Sequence, residues 1–298
     1  MDKVSCFKIQ LFETECNNLM DFSRMKKIHE VSCSRSSFAF NPLIMAADPY
    51  LFVKNDMLYL FYEAKYGHKP GIIEMICTKD LKTWTDPVVV LKENHHLSYP
   101  WVFEENGKIY MMPESKQADC IKLYECDKDD LSHFSFKTKL LEGQYVDSCI
   151  YRDGKNYFLM TSEKKDGIYN LKLYVSDSLT GKYTEHPKSP LMKNNKFGRN
   201  GGSFISEGGK LYRFAQDCSN NYGENIHVIE ITSIDKDNYS EKVVKESIFD
   251  RNTEIFNGGG HQYNFVDFNG RRIVATDAKE SNTLMCYRLS NLKRKFLK

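Results

Sequence analysis

The 298-residue sequence has no run of 18 apolar residues, so no membrane-spanning helix is expected from it. The segment Met1–Met20 lacks the basic, apolar and small-residue succession of an export signal, which sets the expectation of a cytoplasmic protein, at most resting on the inner face of the membrane. Its nine cysteines are odd in number, scattered and never spaced as Cys-x-x-Cys, a distribution that argues against a disulfide framework or a zinc site. Neither sign of charge is in excess: 42 basic against 40 acidic residues leave a net +2, which gives no reason to expect a nucleic-acid partner. No Asp-x-Asp pair stands where it would hold a nucleotide-bound metal, since Asp127-Lys-Asp-Asp130 falls in a polar loop; no metal and no cofactor are expected.

What is present is aromatic and repetitive. The 18 Tyr and 19 Phe lie between Gly, Asn and Asp clusters, a balance that favours strands over helices. One unit recurs five times, an apolar strand, a turn rich in Asn, Asp or Gly, and a second alternating strand: YLFVKNDMLYLFYE from Tyr50, WVFEENGKIYMMPE from Trp101, CIYRDGKNYFLMTS from Cys149, SFISEGGKLYRFAQD from Ser203 and NFVDFNGRRIVATDA from Asn264. The equivalent residues Tyr59, Tyr110, Tyr157, Tyr212 and Ile273 are 51, 47, 55 and 61 apart, the length of a propeller blade. Further strands are expected over 72–78, 121–125, 171–176, 226–231 and 284–289. The fold class is therefore all-β, a five-bladed β-propeller with four-stranded antiparallel blades. A β-sandwich is the alternative such strands also build, and the near-constant spacing argues against it. Residues 40–290 form the propeller, 291–298 a basic tail, and 1–39 an appendage with a helix-like stretch over 18–27 and a segment able to supply the outer strand of the last blade.

The innermost strand of each blade lines the axis, so polar residues at the strand starts converge on one funnel. Those starts carry Asp48; His96 and Tyr99; Asp147; Arg199 and Asn200; and His261 with Gln262 after three glycines. The second strands end on Glu63, Glu114, Asp217 and Asp277. Each has a bland reading beside the functional one: Asp48 as a turn carboxylate before Pro49, His261 and His96 as internally bonded rings, and Tyr99, Trp101 and Tyr263 as core rather than flat faces offered to a sugar.

Two resemblances attach to these residues. Asp48 in ADPYLF and Asp147 in VDSCIYRDGKNYFL resemble the first two catalytic carboxylates of the arabinofuranosidase and invertase type of five-bladed glycoside hydrolase, whose third is a blade-four Glu. Here blade four begins with Arg199-Asn-Gly-Gly. The closer resemblance, over residues 45–245, is to the N-terminal propeller domain of the plant glucosamine inositolphosphorylceramide transferases and its stand-alone bacterial relatives, through ADPYLF with LYLFYE, HLSYPWVF with YMMPES, RNGG, and QDCSNNYG. The plant proteins carry a separate glycosyltransferase domain after the propeller, so their ceramide substrate is not carried over.

The function expected from this reading is a cytoplasmic glycosyltransferase in cell-surface polysaccharide or glycolipid assembly, with an activated sugar donor and a glycan or lipid-linked acceptor as partners. Asp48 serves as acceptor-activating base or nucleophile-like stabiliser, Asp147 positions sugar hydroxyls, and Arg199 with His96 or His261 neutralises a leaving phosphate. Tyr99, Asn200, Asp217 and Gln262 complete the substrate-binding set. The alternatives are a furanoside hydrolase working through Asp48, Asp147 and Glu114, and a noncatalytic carbohydrate-binding propeller. The C-terminal run Arg288–Lys298 is a candidate contact for an anionic membrane, the alternative being a solvated tail.

Overall fold

A computed structural model describes residues 4–18, 20–33, 43–67 and 69–282; the basic tail and the strand expected over 284–289 lie outside them. Strands β1 (Val4–Thr14) and β2 (Lys26–Val31) precede the first blade, which is β3 (Leu43–Lys54), β4 (Met57–Tyr66), β5 (Ile72–Thr78) and β6 (Val88–Leu91). Blade two is β7 (Ser98–Glu105), β8 (Lys108–Glu114), β9 (Cys120–Cys126) and β10 (Phe134–Glu142). Blade three is β11 (Tyr145–Arg152), β12 (Tyr157–Lys165) and β13 (Ile168–Ser176), with its outer place divided between β14 (Thr184–Glu185) and β15 (Met192–Lys193). Blade four is β16 (Ile205–Glu207), β17 (Lys210–Asp217), β18 (Asn225–Ile234) and β19 (Tyr239–Lys245), and blade five begins with β20 (Tyr263–Phe268) and β21 (Arg271–Asn282). All pairings are antiparallel, and five sheets make the ring.

Four of the five inner hairpins close through two-residue turns in which both central residues have positive φ: Asn55-Asp56, Asn106-Gly107, Gly208-Gly209 and Asn269-Gly270. Turns of this hand match strand twist, and Asn, Asp and Gly reach them at low cost. Blade three turns instead on Asp153, whose Oδ1 accepts the Lys155 and Asn156 amides at 2.9 and 2.7 Å.

Blade five has the order β20-β21-β1-β2, so the N-terminal chain supplies two strands. The third-strand place, expected from residues 284–289, is held by β1, paired with β21 from Val4↔Asn282 to Thr14↔Arg272. The helix-like stretch contains a single 3-10 turn, Phe22–Arg24, before β2. A ring closed by both ends of the described chain has no free seam between first and last blade.

Apolar residues are buried between blades; Phe61 of β4, for example, meets Phe134 of β10 edge-on at 5.9 Å. Backbones approach closely around Gly202. A Cβ on Gly202 would stand 2.3 Å from the Tyr263 carbonyl oxygen, and the Gly202 carbonyl accepts the Tyr99 hydroxyl at 2.8 Å across the channel. Gly202→Ala is therefore expected to cost about 1–3 kcal/mol or more, read as a lower thermal midpoint, because the obstacle is backbone and cannot rotate away.

Candidate functional site

Three inner strands break at the same point. Ala47 pairs with Glu63 and Tyr50 with Phe61, so β3 spends one more residue than β4. β7 does so between Ser98 and Trp101, and β11 between Val146 and Cys149. Each bulge puts a non-glycine residue at positive φ: Asp48 at 53°, Tyr99 at 47° and Asp147 at 51°. Such bulges re-aim a side chain out of the pleat. Asp tolerates the left-handed region; for Tyr it is a strained conformation, held by neighbours.

The re-aimed carboxylates meet those at the ends of the second strands, because the start of one hairpin arm and the end of the other lie at the same rim. Asp48, Glu63, Glu114, Asp147 and Asp277 are gathered there, all buried or nearly so. Arg199 answers Asp147: its Nε donates to Asp147 Oδ2, its Nη1 donates to the Tyr169 hydroxyl at 2.8 Å, and its Nη2 lies 3.8 Å from Glu114 Oε2. The Tyr169 and Tyr222 ring centroids lie 5.2 and 5.0 Å from its guanidinium carbon. Asn200 Nδ2 donates to the Asp147 carbonyl at 2.8 Å and fixes the same bulge from below.

On the opposite side His261 bridges two acids, Nδ1 to Asp277 Oδ2 at 2.7 Å and Nε2 to Asp48 Oδ1 at 3.3 Å. Asp277 also accepts the His261 and Gln262 amides at 2.7 and 3.2 Å, and the Asp48 amide at 3.2 Å. It thus orients both the imidazole and the first bulge. Asp48 Oδ2 accepts the Tyr99 amide at 3.0 Å, tying blade one to blade two. Asp48, His261 and Asp277 bring one ligand atom each within 4.8 Å of one another and can hold a cation, although those atoms already bond to each other and to backbone amides.

Burial and crowding set the proton affinities. Burial first, then Asp147 and Asp277 against the pull of His261 and Arg199, raises Asp48 to about 6. Glu114 is pushed well above the usual carboxylate range, by burial and then by the Asp147 charge. Glu63 is raised likewise, by burial and then Asp48. Burial alone would lower His261, but Asp277 and Asp48 more than offset it and raise its proton affinity above that of a free imidazole. His96 goes the other way, to about 4, through burial and the nearby Lys65. Its Nδ1 accepts the Gly71 amide at 2.9 Å, which leaves its proton on Nε2, 3.4 Å from Glu63 Oε1.

The structure therefore brings together Asp48, Glu114, Asp147, Arg199, Asn200 and His261, with His96 behind Glu63. It does not join Asp217 to them: that carboxylate accepts from the Ser219 amide at 2.9 Å and lies 3.1 Å from His227 Nε2. Gln262 is fully buried on the axis. Tyr99, Trp101 and Tyr263 offer no face to a ligand, being 1%, 9% and 0% exposed. Tyr99 stands edge-on to Tyr50 at 5.2 Å, and Trp101 stacks on Phe103 at 4.2 Å. Of the residues expected at a leaving phosphate, Arg199 and His261 are each paired with buried carboxylates, and burial lowers His96 to about 4. Sequence reasoning assigned no role to Glu63 and Asp277, and passed over Tyr169 and Tyr222.

Residues 25–274 match the family model described as glucosamine inositolphosphorylceramide transferase 1, N-terminal. Among curated proteins, the chain is 35% identical over 228 residues to "Glucosamine inositolphosphorylceramide transferase 1" of Arabidopsis thaliana, covering 73% of this chain and 29% of that protein. The chain spans roughly a third of the length of the curated relatives it matches. Among solved structures, a family 117 glycoside hydrolase of Zobellia galactanivorans aligns with a TM-score of 0.55 at 12% identity, covering 94% of this chain and 92% of that one. The GH43B protein of a Bacteroides ovatus xyloglucan PUL aligns with a TM-score of 0.56 at 17% identity, covering 83% and 55%. At these identities the likeness is one of fold.

Proposed function

Because the chain belongs to the family of the glucosamine inositolphosphorylceramide transferase 1 N-terminal domain, we propose that its funnel is a carbohydrate-active site that moves a glycosyl group from a glycoside to an acceptor hydroxyl. What supports the reading is a pair of unlike carboxyls at one rim: Glu114, whose proton affinity burial and the Asp147 charge push well above the usual carboxylate range, and Asp48, raised only to about 6. Cleaving a glycosidic bond needs that pair, an acid to protonate the departing oxygen and a carboxylate to act at the sugar carbon or on the incoming hydroxyl. In the reading Glu114 is the acid and Asp48 the carboxylate. Asp147, held by Arg199 and Asn200, accepts hydrogen bonds from sugar hydroxyls.

The charge balance favours one donor class. Carboxyls outnumber Arg199 and His261 at the rim and both of these are already paired with carboxylates, so a diphosphate would meet an excess of acidic groups. A neutral glycoside fits better than a nucleotide sugar, and a glycolipid glycan is the extension that the relatives' name suggests. Hydrolysis is the second reading, favoured by the same acid–carboxylate pair, with water in the place of the acceptor.

The test offers the protein aryl glycosides, with and without excess saccharide acceptor, and in parallel nucleotide sugars. Release of the aryl group, with transfer products when acceptor is added, is expected; its rate should rise with pH through about 6 as Asp48 ionises and collapse in Glu114→Gln. Transfer from nucleotide sugars with every glycoside left intact would contradict the reading.

A further inference from the structure

The QDCSNNYG segment is a loop builder. Between β17 and β18 the Glu224 amide donates to the Asp217 carbonyl at 3.0 Å and the Cys218 amide to the Asn195 carbonyl at 2.8 Å. The Asn220 and Asn221 side chains donate to Glu224 at 3.1 and 3.3 Å. Lys279 Nζ donates to the Tyr222 carbonyl at 2.9 Å. Gly223, at φ +69°, lets the backbone pass His261: a Cβ there would be 3.1 Å from the His261 Cβ.

All of this fixes one ring. Tyr222 covers Arg199 at 5.0 Å and meets the edge of His261 at 5.1 Å, yet the residue is 42% exposed. Its ring thus contacts the two cationic groups of the rim on one side and is open on the other. Tyr50, Tyr99 and Tyr263 nearby are at most 1% exposed and serve packing. A side chain ordered by this many loop bonds, without the burial that normally compensates the ordering, is matched to something that arrives later.

We propose that Tyr222 is the aromatic wall of the sugar subsite at the funnel mouth, stacking on the apolar C–H face of a ring whose hydroxyls reach Asp48 and Asp147. The inference rests on the carbohydrate reading above. Arg199 behind the ring leaves the outward face as the one available, so the loop selects sugars that present an unsubstituted apolar face toward blade four.

The probe is a panel of methyl pyranosides and furanosides, screened by saturation-transfer NMR on the intact protein, with affinities then measured for wild type, Tyr222→Phe and Tyr222→Leu. Tyr222→Phe should bind within about threefold of wild type and Tyr222→Leu about tenfold or more weakly, with the strongest saturation on ring C–H protons of one sugar face lost only in the latter. Near-ultraviolet circular dichroism checks that each variant is folded; Tyr222→Phe keeps the ring if Leu disturbs the loop. Equal binding by wild type and Tyr222→Leu would overturn the inference while leaving the carbohydrate reading standing. A folded wild type that binds no glycoside would overturn both.

Discussion

Asp48→Asn is expected to lower turnover of a glycoside by about 10²–10⁴-fold while leaving the protein as stable as wild type at pH 7, or more so. The activity loss follows from removing the carboxylate that the Glu114 proton donor works against. The stability result follows from linkage. Asp48 has its folded-state affinity for protons raised, to about 6, above the ordinary Asp value. The folded state therefore binds a proton more tightly than the unfolded chain, and stability falls as pH rises from about 4 to about 6, by roughly 2–3 kcal/mol. The amide introduced by Asp48→Asn cannot ionise and escapes that loss. Its oxygen can still accept the Tyr99 amide, so the bulge keeps that partner. Thermal midpoints of both proteins at pH 4 and pH 7, beside turnover, check it: the variant should gain on wild type only at the higher pH.

Arg199→Met carries the largest expected stability effect, a loss of about 3–5 kcal/mol at neutral pH. Arg199 is 8% exposed, and its guanidinium is the only cation set against Asp147 and Glu114 among the described residues. Taking it away strands a buried carboxylate, whereas removing both members of the pair does not. Arg199→Met with Asp147→Asn is therefore expected to recover much of the loss. Denaturant titrations of the two proteins at pH 8 measure this. A single variant as stable as wild type at pH 8 would mean that Arg199 does not hold the site together.

The ring was legible because its signals are local. Asn-Gly, Asn-Asp and Gly-Gly turns between alternating strands specify hairpins wherever they occur, and four of five inner hairpins use them as read. Blade five was less legible because its outer strands come from the opposite end of the chain, a pairing of Ile9 with Asp277 that no local pattern announces. The site divides in the same way. Asp48, Asp147 and Glu114 stood out as charges interrupting apolar strands. Arg199 was read as a partner for a leaving phosphate, from its place where a blade-four carboxylate stands in the hydrolases, but its Nε donates to Asp147, 52 residues earlier. The aromatic residues misled, since inner strands near the axis are buried on both faces, so Tyr99 and Tyr263 pack while the exposed ring, Tyr222, sits in a loop without periodicity. Asp277 was visible as a strand end; its role depends on Asp48, 229 residues away.

The central claim is that a carboxyl in the funnel keeps its proton at neutral pH and can donate it to a departing sugar oxygen. Infrared difference spectroscopy of wild type against Glu114→Gln at pH 7 tests it most directly. A protonated-carboxyl C=O component lost in Glu114→Gln is expected in the difference spectrum, the Glu63 contribution, raised likewise, being common to both proteins. No such band at pH 7, or one that Glu114→Gln leaves unchanged, would contradict it.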